Sequence, residues 1–271
     1  MKTILFPTDF SPRSFSALKQ ASLFFKKNPL KFIVYHAYQQ PFSKTDSNVH
    51  MAGLLENKER SLKHAYQNLI EDFQYDERIT FQFISKRGLF EKEFLATTKN
   101  IDFDLVCMAT KGAKGLDELW GTKTAKMIKE VNSTMLVIPD NGTFSHINRA
   151  VLVCDYSEKV DYDALDFFAE ILREHKLHID VITVNQEEKK MTASEKAYRQ
   201  LVKKKMQGIS ANFLFTSHED LDRGILQYCK DRGVGLVAVL NKKYGFLTKV
   251  FHESLTEKMA FKSHIPLLVL N

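Results

Sequence analysis

Short apolar runs alternate with amphipathic stretches along the first half of the chain, and their periods predict the elements. Thr3 to Pro7 reads as a strand, followed by Thr8-Asp9-Phe10 and then by Ser11 and Pro12 as the cap and first residue of a helix. Phe15, Leu18, Ala21 and Phe25 are spaced to cover one face of that helix. Residues 31–38, KFIVYHAY, form a second buried strand, and a polar loop over about 39–50 leads to a charged helix of roughly 53–74 with Leu54, Leu62, Ala65 and Leu69 inward. Ile79, Phe81 and Phe83 alternate as a third strand, and residues 88–99 form a short helix. Leu105 to Ala109 is a fourth strand. After it come a loop with Gly112, Gly115 and Gly121, a helix opening near Thr122 and running through Met127 to Val131, and a fifth strand from Met135 to Pro139.

This alternation is βαβαβαβαβ. Apolar strands separated by helices predict a parallel sheet covered on both faces, with right-handed crossovers. If the early connections build outward and then reverse, the strand order is 3-2-1-4-5. Strands one and four are then neighbours at a switch point, and the loops after them, at Thr8-Asp9 and at the glycines, face one crevice.

The pattern then repeats. AVLVCDYSEKVDYDALDFFAEIL, from Ala150, matches ILFPTDFSPRSFSALKQASLFF, from Ile4, with Asp155-Tyr156-Ser157 standing where Asp9-Phe10-Ser11 stood. At a shift of 132 residues 255–271 overlays 123–139, and at a shift of 131 LVAVLN (236–241) overlays LVCMAT (105–110). The chain is therefore expected to be α/β, with two tandem doubly wound five-stranded parallel sheets in domains 1–141 and 148–271.

Composition changes little in this picture. With 44% hydrophobic and 27% charged residues, the chain can bury two cores. The net charge of +6 is spread over scattered lysines, and the densest cluster, Lys203 to Lys205, reads as a solvated helix face with no motif for nucleic acid. Cys107, Cys154 and Cys229 are far apart, the first two in apolar runs, which suits a reducing, cytoplasmic setting. No apolar run approaches the roughly 18 residues of a membrane span, and the apolar start is too short for a signal peptide, so neither a membrane nor export is expected.

Glycines between a strand and a helix start suit an anion, because they allow close backbone approach and the first helical turn offers unpaired N–H groups. They are also ordinary turn residues, and the loop has neither the GxxxxGK[ST] nor the GxGxxG spacing. His175 and His178 have no further ligands in register for a metal, while His36 and His264, at strand ends, read as hydrogen-bonded structural groups. Trp120 reads as a packing residue. No Ser-His-Asp or Cys-His order is legible, so no catalytic residue is nominated.

PTDFS after the first strand, HAY closing the second, the loop MATKGAKGLDELWGT and the tandem layout together resemble a universal stress protein with two such domains. The resemblance covers essentially the whole chain and implies an adenine-nucleotide alpha-hydrolase-like fold. Many members of that family bind ATP or another adenine nucleotide through a loop G-x-x-G, nine residues, G-[S/T]; others bind none and act in stress tolerance or signalling as dimers. Carried onto this chain, the resemblance places Ala109 at the first glycine, Gly112 at the second and Gly121-Thr122 at the final pair, with eight intervening residues. Thr122 would meet the phosphates with Lys111, Lys114 and Lys123 nearby. Pro7, Thr8 and Asp9 would lie toward the adenine or ribose, and the Ala37 backbone would touch the base. For Asp9 an Asx-type turn before the helix stands equally open.

In the second copy Leu240, Lys243 and Glu253 replace the glycines and Ser254 keeps the hydroxyl, so no nucleotide is expected there. The resemblance further implies a homodimer, with the two fifth strands (Met135 to Ile138 and Leu267 to Leu270) pairing within one chain. Two functions stay open. One is a stress-response protein holding ATP, ADP or AMP, with Mg²⁺ and at most slow hydrolysis, in the N-terminal domain; the other is an interaction module with both sites degenerate.

Overall fold

A computed structural model describes residues 1–39, 48–73, 76–110, 122–145, 147–156, 162–184, 188–216, 221–240 and 264–271. The chain divides into two compact units, Met1–Met108 and Ala109–Asn271. The division falls inside a strand, so it differs from the sequence repeat.

The first unit holds β1 (Lys2–Pro7), α1 (Pro12–Phe24), β2 (Leu30–Tyr38), α2 (Asn48–Ile70), β3 (Ile79–Arg87), α3 (Phe90–Thr98) and the start of β4 (Leu105–Thr110). Its strands are all parallel in the order β3-β2-β1-β4, with Ile4 beside both Phe32 and Leu105. The central strands are buried on both faces because helices cover both sides; Ile4, Leu5, Phe6, Phe32 and Val34 are fully enclosed. From Ile79 to Phe83, β3 alternates between half-buried and exposed residues, as a strand with one bare face does, and its last three residues are exposed. Ser11 caps α1 by accepting a hydrogen bond from the Ser14 amide, and Pro12 follows at the first turn. On α2, Leu62 and Leu69 are buried but Leu54 is 37% exposed, against the expectation that it faces inward. At 3.6 residues per turn, the eight residues from Leu54 to Leu62 put it about 80° off the stripe that Leu62 and Leu69 share.

The second unit holds α4 (Thr122–Glu130), β5 (Met135–Pro139), β6 (Arg149–Val153), α5 (Ala164–His175), β7 (His178–Val184), α6 (Ala193–Lys205), β8 (Ala211–Thr216), α7 (Leu221–Arg232), β9 (Leu236–Leu240) and β10 (Leu267–Leu270). Five parallel strands run in the order β8-β7-β6-β9-β10, the full 3-2-1-4-5 pattern of the second copy. β5 then adds antiparallel to β10, with Leu136 opposite Leu268. Every residue of β5 and β10 is buried, as strands with neighbours on both faces require. Local signals set the helix ends. Thr192 and Glu195 form a reciprocal capping box at the start of α6, and Lys176 adopts a left-handed φ of 55° to end α5. Cys107, Cys154 and Cys229 are buried, and none of them forms a disulfide.

Candidate functional site

The carboxyl end of β1 is where the strand order of the first unit reverses, with β2 on one side and β4 on the other. Chain leaving such a strand has no covering crossover in front of it, and that opening is where open α/β sheets bind ligands. Pro7, the last residue of β1, is buried, and Thr8 continues the ladder by donating its amide to the Tyr35 carbonyl at 2.9 Å. Three further bonds then make the turn rigid. The Thr8 carbonyl accepts from His36 Nδ1 at 2.7 Å, Thr8 Oγ1 accepts from the Phe10 amide at 2.9 Å, and Asp9 Oδ1 accepts from the Ser11 amide at 3.0 Å. Asp9 Oδ1 also accepts from Ser14 Oγ at 2.7 Å. A carbonyl only accepts, so His36 carries its proton on Nδ1.

Phe10 completes the turn with φ of 60°, a left-handed conformation that a bulky side chain adopts only where surroundings hold it. What holds it is aromatic: the Phe10 ring lies 4.9 Å from His36 and 6.1 Å from Phe83, and Tyr66 stacks on Phe83 at 4.7 Å. The result keeps Asp9 exposed at the opening. Partial burial pushes the Asp9 carboxyl up, but the hydrogen bonds from Ser11 and Ser14 outweigh it and hold the group below the ordinary carboxylate value. Asp9 is thus an anionic, exposed residue that also forms the Asx turn starting α1.

The structure gathers Pro7, Thr8, Asp9 and Ala37 at the adjacent carboxyl ends of β1 and β2, Ala37 being half-buried. Ala109 is half-buried in β4, and Thr110 after it buries a hydroxyl that has no hydrogen-bond partner among the described residues. Thr122 opens α4. Gly112 and Gly121 lie outside the described residues. The sequence marks His36 as a hydrogen-bonded group at a strand end, as it is, but gives neither its partner nor the role of Phe10. His36 stood at a strand end and Phe10 followed an acidic turn, but a carbonyl–imidazole bond between strands has no sequence period to betray it.

The second copy builds the same turn from different side chains. Tyr156 has φ of 54°, and its amide points at Cys154 Sγ at 3.4 Å, where Phe10 points at Thr8 Oγ1. Strand registers put Thr183 where His36 stands. Tyr156 and Tyr162 are buried, Tyr162 stacks on Tyr198 at 4.9 Å, and burial pushes the Tyr156 phenol up to about 12. Leu240 closes β9, whereas Lys243, Glu253 and Ser254 lie outside the described residues.

The fold and this turn define a class: doubly wound α/β proteins repeated in tandem, each copy with a switch point after its first strand. Residues 1–139 match the universal stress protein family, and the chain belongs to that family. Over 99% of its length it superposes on 98% of a universal stress protein from Archaeoglobus fulgidus DSM 4304, with a TM-score of 0.75 and 19% sequence identity. A functionally unknown protein from Pseudomonas aeruginosa PAO1 is similar at a TM-score of 0.60 and 12% identity, over 100% of this chain and 92% of that one. Likeness at these identities concerns the fold. No curated protein matches the sequence.

Proposed function

We propose that this universal stress protein binds one adenine nucleotide (ATP, ADP or AMP, with Mg²⁺ on the phosphates) in its N-terminal copy and none in its C-terminal copy. The observation that carries the reading is the preformed turn at the β1 switch point, where four hydrogen bonds and an aromatic cluster hold Thr8-Asp9-Phe10 with Asp9 exposed. A turn ordered in advance spares a ligand the cost of ordering it. The Thr110 hydroxyl, buried and without a partner among the described residues, stands next to the glycine loop in sequence and supports the same reading, since buried hydroxyls without partners are uncommon. In the second copy, buried Tyr156 and Tyr162 and the glycine replacements argue for a site that takes no nucleotide. The protein then acts in cytoplasmic stress response or signalling as a dimer rather than as an enzyme acting on that nucleotide beyond slow hydrolysis.

Two observations favour the interaction module instead: Asp9 Oδ1 is already engaged by Ser11 and Ser14, and Ala109 puts a methyl group where glycine gives closest approach. Denaturing the purified protein, chromatographing the supernatant for adenine nucleotides, and titrating the emptied protein with ATP and Mg²⁺ by calorimetry decides between them. One nucleotide per chain is expected. No nucleotide and no heat would leave the interaction module.

A further inference from the structure

We propose that Ser210, His178 and Asp180 of the second copy form a nucleophile–base–carboxylate relay that acylates Ser210 with acyl esters. The three lie at the amino ends of β7 and β8, a different place in the sheet from the switch point. Side chains two apart on a strand share a face, so His178 and Asp180 point the same way. Ile179 pairs with Ala211 and Asp180 with Asn212, which sets His178 beside Ser210 across the ladder. His178 Nδ1 lies 2.7 Å from Ser210 Oγ, and His178 Nε2 lies 3.0 Å from Asp180 Oδ1. Both distances fall in the range over which a base and nucleophile, and a base and its orienting carboxylate, exchange hydrogen bonds.

The surroundings fix the tautomer. Asp180 is fully buried and accepts from Arg149 Nη1 at 2.6 Å, Asn212 Nδ2 at 2.9 Å and Tyr228 Oη at 3.0 Å in addition to His178. Burial alone would push the carboxyl up, but these donors outweigh it and keep it ionised at neutral pH. An ionised carboxylate only accepts, so Nε2 carries the imidazole proton and Nδ1 presents its lone pair to the Ser210 hydroxyl. Asn212 Nδ2, 2.9 Å from Nε2 as well, then gives its hydrogen to Asp180. Ser210 is exposed and the His178 side chain is 24% exposed, so an ester reaches the hydroxyl from solvent while the carboxylate stays dry.

The fold does not require this cluster. With the first strands of the two copies aligned, Lys31 and Ile33 occupy the places of His178 and Asp180, and buried Ile33 serves the same strand position without charge. Burying a carboxylate is costly unless several donors meet it, and the second copy alone assembles them.

In the reaction, Ser210 Oγ attacks the acyl carbon, its proton passes to His178 Nδ1, and the C–O bond to the leaving alcohol breaks as that alcohol takes the proton. Water then adds to the acyl-serine with Nδ1 as base, releasing the carboxylic acid and restoring the hydroxyl. Ser210 and His178 are the catalytic residues. Asp180 is a positioning residue, and its ion pair with Arg149 tempers the support it gives an imidazolium.

The test treats the full-length protein with a fluorophosphonate probe and maps the adduct by peptide mass spectrometry. Ser210 should label about 100-fold faster in the folded protein than in the same protein in urea, the lower end of general-base assistance. The wild-type rate should rise with pH as a single-proton curve. Folded His178→Gln should lose both the speed and the pH step, Asp180→Asn should slow the labelling while keeping the step, and Ser210→Ala should carry no adduct. Equal rates folded and unfolded, a flat wild-type pH profile, or undiminished labelling in folded His178→Gln would overturn the relay. If the Gln variant does not fold, the wild-type profile and the Ser210→Ala map decide.

Discussion

His36 Nδ1 donates to the carbonyl oxygen of Thr8 at 2.7 Å, tying the end of β2 to the turn that leaves β1. The same imidazole supports the ring of Phe10, so a single side chain holds both ends of a three-residue turn in which one residue has a left-handed φ. His36→Leu removes the donor and is expected to destabilise the protein by about 1–2 kcal/mol in urea unfolding, more than a hydrogen bond between exposed groups would cost. Under the nucleotide reading, affinity should fall about tenfold by calorimetry. His36→Asn, whose amide nitrogen overlays Nδ1, should restore most of both.

Gly121→Glu copies the second half, where Glu253 stands, and places a carboxylate at the residue before the hydroxyl-bearing Thr122. Like charge beside a phosphate is expected to abolish measurable ATP binding by calorimetry without a shift in melting temperature of the empty protein. Unchanged affinity would remove this loop from the site.

Asp180 joins β6, β7, β8 and α7 through its four donors, so its loss is felt beyond one strand. Asp180→Ala should cost about 3–5 kcal/mol, because Arg149 keeps its charge without its partner. The acid response follows from linkage. The folded carboxyl titrates below its unfolded value, so its stabilisation is complete above about pH 4 and is lost as pH falls through the folded value. Urea midpoints at pH 7 and pH 3 should therefore differ more for the wild type than for Asp180→Asn.

Leu268 on β10 pairs with Ala238 on one side and Leu136 on the other and is fully buried. Leu268→Ala should cost about 2–5 kcal/mol. Deleting Leu267 to Asn271 should do more. It bares the edges of β5 and β9 together and removes the bonds from Asn271 Nδ2 to the Val131 and Ser133 carbonyls, at 3.2 and 2.8 Å. A truncated protein with an unchanged thermal midpoint would contradict the role of this strand.

Periodicity was enough to find four of the five strands of the first half to within about one residue, because strands buried on both faces must be continuous apolar runs with punctuation between them; β3 runs four residues past Phe83, to Arg87, where its alternation stops. The Ser11-Pro12 helix start was equally legible, since capping is chemistry between residues three apart. The outward position of Leu54 follows from its spacing too, eight residues before Leu62 and so about 80° off the stripe, whereas its apolar side chain alone points inward.

The chain order of residues by itself determined the repeat, the α/β alternation and the acidic turn after the first strand, all products of local period and short-range contact. Only the tertiary structure decided what meets across strands. Thr8 and His36 are 28 residues apart, and Ser210 and His178 are 32 apart. Their encounters depend on ladder register, which neighbouring backbones set together. No spacing along one chain encodes a parallel register, because the crossover between paired strands varies in length while the pairing itself does not.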